Sequence, residues 1–118
     1  MASKQARAKE FSPKVREVIK RRDGGCIFCR MNYQMDSINW FDSQIMSIMH
    51  YIPRSKGGLG IEQNGALGCQ YHHTMLDNGY QGRRAEMLEM FKGYLQIHYD
   101  NWNEEGSLCL LIIQCSKK

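Results

Sequence analysis

The sequence predicts a small α+β domain whose fold is held by a bound metal ion as well as by an apolar core. Three observations predict it. Two short ligand pairs, Cys26-x-x-Cys29 and Cys69-x-x-His72, flank residues 30–68. Between them the run Ile45-Met46-Ser47-Ile48-Met49-His50-Tyr51-Ile52 is rich in apolar and β-favouring residues and stops at Pro53, which reads as a strand. Outside the pairs lie segments of helical spacing: Val15, Val18, Ile19 and Arg22 on one side, and Met87, Leu88, Met90, Phe91, Tyr94, Leu95 and Tyr99 on the other.

Taken in chain order, residues 1–11 read as a flexible basic arm. Ser12-Pro13 is a helix start, because Ser caps and Pro is tolerated at the first helical position. A short amphipathic helix over 13–22 follows, and Asp23-Gly24-Gly25 ends it. Cys26 to Cys29 form a tight knuckle. Residues 30–44 are polar and irregular and read as a loop. After the strand, Ser55 to Gly60 make a turn-rich loop, and residues 62–67 return as the second arm of a hairpin-like structure. A helix runs from Cys69 to about Asp77, with Gly79 near its end. Another opens at Gly82-Arg83 and reaches about Tyr99. Leu108 to Ile113 form a β-like run. The expected organisation is therefore a metal-stapled unit over 12–80, with 81–118 packed on it as a C-terminal helix and tail.

Composition bounds the function. The chain has 118 residues, 42% hydrophobic and 24% charged, which is ordinary globular usage and excludes a disordered, collagen-like or disulfide-dense chain. The longest apolar run, Leu108 to Ile113, is too short to span a bilayer. The basic N-terminus has no apolar core behind it, unlike a secretory signal. These features predict a cytoplasmic protein with no membrane partner. The net charge of +4 is uneven. Residues 1–30 carry nine Lys/Arg and three acids, while 31–118 carry seven and nine. A basic arm on a near-neutral body suits a polyanion such as nucleic acid, and equally suits a solvated terminus.

In a reducing compartment, paired Cys/His spacing argues for metal rather than disulfides. Two knuckles offering Cys26, Cys29, Cys69 and His72 close a tetrahedral Zn²⁺ site with no open position, a structural zinc. Three thiolates and one imidazole favour zinc over harder ions. Cys109 and Cys115 have no matching spacing. Met46, Met49, Met75, Met87 and Met90 read as core filler, and Trp40 and Trp102 as packing residues.

Three residues remain: His50, Asn64 and His73. Together with Arg22-Asp23-Gly24-Gly25, the Cys-x-x-Cys knuckle, the run His50-Tyr51-Ile52-Pro53-Arg54-Ser55-Lys56-Gly57-Gly58 and the closing Cys69-Gln70-Tyr71-His72-His73, they make the sequence resemble the HNH endonuclease family, most closely its small phage and prophage members. The resemblance runs from about Val15 to Gly79. It implies a ββα-metal fold and metal-dependent hydrolysis of DNA phosphodiester bonds. By position it makes His50 the general base, Asn64 the residue that fixes that base or holds the strand-turn structure, and His73 a ligand of a catalytic divalent ion such as Mg²⁺ or Mn²⁺. His72 stands where many members carry a second zinc-binding Cys. One position departs from the pattern: many members have Asp before the first His, and this chain has Met49, a poor ligand for such ions. Asp77, four residues after His73, lies on the same helical face and is the candidate second ligand. Its plainer role is to start the Asp77-Asn78-Gly79 turn.

Arg54 and Lys56, just past the strand, are placed to clamp phosphates. Arg21 and Arg22 extend a discontinuous positive track, and Arg83 and Arg84 either join it or cap a solvated helix start. No basic-aromatic interleaving suggests base reading, so low sequence specificity on duplex DNA is expected. Two other readings stay open. The domain is a zinc-stapled module impaired at Met49 that binds nucleic acid or protein. Or it is an accessory of a larger phage machine, such as DNA packaging, with the 81–99 helix as interface.

Overall fold

A helix start is written into Ser12-Pro13, and the computed structural model, which describes residues 9–79 and 82–107, has a helix there. Helix α1 covers Pro13–Asp23, with the Ser12 hydroxyl accepting from the Val15 amide at 3.2 Å and Gly24 closing it in the left-handed conformation at φ 68°. This matches the expected segment with one added residue. The arm is different from expectation at its end. Phe11 is buried at 6% exposure, because its ring fills a space that Gly65 leaves open. Residues 1–8 lie outside the described residues, as does the predicted β-like run at 108–113.

The Cys26 knuckle becomes helix α2, Ile27–Arg30. The segment expected to be a loop at 30–44 contains a short helix, α3, Trp40–Gln44, capped by the Asn39 side chain, which accepts from Phe41 and Asp42 amides. One turn and a half is too short to show a periodicity, so only the Asn cap signals it. Trp40 is 71% exposed there, which corrects its assignment to packing, and Met46 is also exposed. Trp102 does pack, donating its indole N–H to the Gln63 carbonyl.

Strand β1, Met46–His50, pairs antiparallel with β2, Gly65–Cys69, in the register Met46 to Cys69 and His50 to Gly65. The loop between them holds two single turns of 3₁₀ helix, Arg54–Lys56 and Glu62–Asn64. Cys69 then caps helix α4, Gln70–Asn78, which Gly79 ends at φ 61°. Helix α5 spans Arg83–His98.

Strand alternation divides the interior in two. Met49 and its partner Ala66 face a core with Ile27, Phe28, Met75, Leu76, Met87, Phe91 and Leu95. Ile48 and its partner Leu67 face Phe11 and Ile19. Gly68 is required beside Met49: a Cβ there would sit 2.3 Å from the Met49 sulfur. The sheet is thus sandwiched between α1 on one face and α5 with the Cys/His knuckles on the other. His50 is on the α1 face. Among the described residues no helix is long and apolar enough to cross a membrane.

Candidate functional site

The first candidate site follows from the two knuckles. In each, a backbone amide turns toward the first sulfur: Cys29 N–H to Cys26 Sγ at 3.4 Å, and His72 N–H to Cys69 Sγ at 3.5 Å. This turns the paired side chains to one point. The Cys29 and Cys69 sulfurs are 3.7 Å apart, and His72 Nδ1 lies 3.6, 3.5 and 3.3 Å from Cys26, Cys29 and Cys69. Ligands bonded at about 2.0–2.3 Å to one tetrahedral centre stand roughly 3.5–3.8 Å from each other. The donor set therefore has the spacing of a metal cage before any ion is considered, and it can hold a metal ion such as zinc.

The surroundings agree with that chemistry. His72 is fully buried, and its Nε2 is 2.7 Å from the Tyr33 carbonyl. A carbonyl only accepts, so Nε2 carries the hydrogen and Nδ1 is the ring atom that faces the sulfurs. A hydrogen bond with Cys69 pulls the Cys26 thiol down to about 3. The same bond, then burial, pushes Cys69 above its ordinary value. Burial, then the charge on Cys26, pushes Cys29 up to about 11. A thiolate at Cys26 opposes ionisation of its neighbours, and a cation bound among the three sulfurs would relieve that opposition.

The second candidate site is a cleft of about 580 Å³ on the α1 side of the sheet. β1 delivers His50 to it, and the first turn of α4 delivers His73. His72 and His73 are neighbours on that turn and point about 100° apart, so one enters the sulfur cluster and the other the cleft. His73 Nδ1 meets the Ser47 hydroxyl at 2.6 Å, and its Nε2 is 3.5 Å from Asp77 Oδ2. The expected pairing of His73 with Asp77 on one helical face is thus present. His50 Nε2 is 2.8 Å from the Lys9 carbonyl, and the Phe11 ring lies 4.2 Å from the imidazole. Burial pushes the His50 pKa below its ordinary 6.5 against the Lys9 carbonyl, and Arg54, His73 and Arg16 push it the same way. A neutral imidazole among cations is the form that can take a proton.

Arg16, Arg54 and Arg84 bring positive charge to the cleft walls. Arg84 is anchored on the last turn of α4 through the Leu76 carbonyl at 2.7 Å, Arg16 on the Phe11 carbonyl at 3.1 Å, and Arg54 beside Glu10 at 3.5 Å. Of the basic residues expected to meet nucleic acid, Arg54 and Arg84 line it. Lys56 is exposed on the same turn, outside the wall. Arg21 is exposed on α1 and pairs with Glu17 at 3.3 Å. Arg83 sits beside Tyr33. Arg22 is a correction: its side chain is 9% exposed, and all five of its N–H donors are used, two on Asp23 and one each on Tyr99, Glu62 O and Gly65 O. It ties α1 to the hairpin and has no donor left for a phosphate.

Asn64 keeps one of its two expected roles. It is fully buried. Its Oδ1 accepts from the Ile52 amide at 2.8 Å, and its Nδ2 donates to the Ile52 and Leu59 carbonyls at 3.1 and 2.9 Å. Of the two roles expected of it, the strand-turn role is the one its bonds serve; none reaches His50. Met49 is fully buried on the opposite face of β1 from His50 and can offer nothing to the cleft. Comparison with family models, with curated proteins and with solved structures finds no match to this chain.

Proposed function

We propose that the chain is a metal-dependent endonuclease of the HNH type that hydrolyses DNA phosphodiester bonds with low sequence specificity, on a scaffold fixed by a structural zinc at Cys26, Cys29, Cys69 and His72. One observation carries this reading: a cleft lined by three arginines that also receives His50 and the His73–Asp77 pair. Arginine matches phosphate by charge and by planar donor geometry. The chain order supports it too, with His50 on the first of two antiparallel strands and His73 on the helix that follows the second.

His73 and Asp77 would hold a divalent ion, and their 3.5 Å separation lets one ion reach both. When bound, that ion supplies charge neutralisation at the phosphate and at the leaving oxygen. The residues of the chain do the rest. Arg16, Arg54 and Arg84 hold the phosphodiester by its oxygens. His50 accepts a proton from water as the water oxygen bonds to phosphorus. The phosphorus–oxygen bond to the leaving group breaks, and the departing oxygen takes a proton from solvent.

The test is supercoiled plasmid incubated with Mg²⁺, Mn²⁺ or Ni²⁺. Nicking is expected from the native chain and should fall by about a hundredfold or more in His50→Ala and in His73→Ala. Retention of plasmid without cleavage under any of the three ions would favour the second reading, a DNA-binding module that has lost catalysis. Met49 favours that alternative, since it places a buried apolar side chain where the family carries a carboxylate.

A further inference from the structure

The segment before α1 does more than connect. Lys9, Glu10 and Phe11 run across the mouth of the hairpin loop and are held there at four points. The Phe11 ring is buried over Gly65, where a Cβ would come within 2.6 Å of it. The Glu10 backbone passes Gly60 so closely that a Cβ on Gly60 would meet the Glu10 carbonyl oxygen at 2.1 Å and the Phe11 amide nitrogen at 2.7 Å. Arg16 holds the Phe11 carbonyl at 3.1 Å, and Arg54 lies 3.5 Å from the Glu10 carboxylate. From this anchored position the Lys9 carbonyl reaches His50 Nε2 at 2.8 Å, and the Phe11 ring lies tilted by 35° against the imidazole. Among the described residues, Lys9 is the one hydrogen-bond partner of that ring.

We infer that residues 9–11 are a positioning strut for His50: the Lys9 carbonyl assigns the ring hydrogen to Nε2, the Phe11 face stops the ring from turning, and Nδ1 is left to receive the proton of the attacking water. This rests on His50 being the base. The chemistry is direct. A carbonyl has no hydrogen to donate, so the bond exists only with Nε2–H, and a neutral ring with Nε2–H has its lone pair on Nδ1. A base that must rotate or change tautomer before each turnover loses the benefit of being held in place. Here both motions are blocked by a segment that comes from outside the strand carrying the histidine. Lys9 acts through its backbone, so the identity of its side chain is irrelevant to the role.

Gly60 supplies the test, because it touches the strut and not the imidazole. Gly60→Ala in the full zinc-loaded chain forces the Glu10 backbone away. In the native chain, NMR should show the His50 Nε2–H as a slowly exchanging ring proton, and in Gly60→Ala that proton should exchange with water and vanish. On supercoiled plasmid with Mn²⁺, kcat should drop by about tenfold with KM changed by less than about twofold, the pattern of a disturbed base rather than lost binding. Phe11→Leu keeps the apolar fill while removing the aromatic face; it should retain zinc and folding and lower kcat in the same direction. A variant that loses the Nε2–H signal and still nicks at the native rate, or faster, overturns the strut, and a faster rate would make the segment a cover instead. A native chain that does not nick, or a His50→Ala variant that nicks normally, overturns the base and with it this role of the strut, while the NMR signal reports separately whether the Lys9 bond exists.

Discussion

Asn64 and His50 show how the surroundings of a polar side chain decide what it can do. Asn64 spends every polar atom of its side chain on the backbone of the loop it closes. Asn64→Ala would strand the Ile52 amide and two carbonyls in a buried place, at a cost of about 3 kcal/mol. Urea unfolding should show that loss, and nicking measured on the folded fraction should stay near native, which separates a staple from a catalytic group. His50 leads to a pH prediction. Its pKa in the fold lies below the ordinary 6.5, so between the two values the unfolded chain binds more protons, and stability rises with pH through that window. Lowering the pH from above 6.5 should therefore reduce the urea midpoint. His50→Gln, which keeps a donor for the Lys9 carbonyl, should reduce that pH-dependent fall. With His50 as the proposed base, the acid limb of nicking should have its midpoint below 6.5.

At the scale of elements, α1 is joined to the sheet by a buried ionic node rather than by apolar contact alone. Asp23, fully buried, receives Arg22 through both oxygens, the Tyr94 hydroxyl and the Leu67 amide of β2. Asp23→Ala leaves a buried guanidinium without its counter-charge and should cost about 3–5 kcal/mol, read as a lowered denaturant midpoint. Much of this was legible. Arg22 falls on the same helical stripe as Val15 and Ile19, and a cation on an apolar stripe beside an Asp is a structural signal that the phosphate assignment passed over. The strand's two faces, the Cys/His pairing and the Ser12-Pro13 start were all present in local spacing. The cleft was not, because Arg16, Arg54 and Arg84 come from α1, the hairpin loop and α5, and no local pattern links them. Arg16 was missed for that reason. Helix α3 was missed because it is shorter than the period that reveals a helix.

Across the whole molecule, the two candidate ion sites share helix α4 but differ in what removing each should do. The Cys/His cluster joins the α2 knuckle to the end of β2 and the start of α4, and its buried donors belong to the same core as Met49, Met87 and Phe91. Stripping zinc should therefore act on the fold. A strong zinc chelator is expected to abolish cooperative unfolding and to make Cys26, Cys29 and Cys69 react with an alkylating agent, and adding Mg²⁺ afterwards should restore neither. The His73–Asp77 pair sits on the outer side of the same helix, with Asp77 exposed. Asp77→Ala should leave one zinc per chain by elemental analysis and an unchanged melting transition, while nicking in Mn²⁺ falls by about tenfold or more. The two losses should separate in this way, because the 100° turn between His72 and His73 sends one imidazole into the Cys cluster and the other into the cleft. A variant at Asp77 that lost zinc and unfolded, or a chelated protein that kept its melting transition, would mean that the scaffold and the cleft are not divided along that turn.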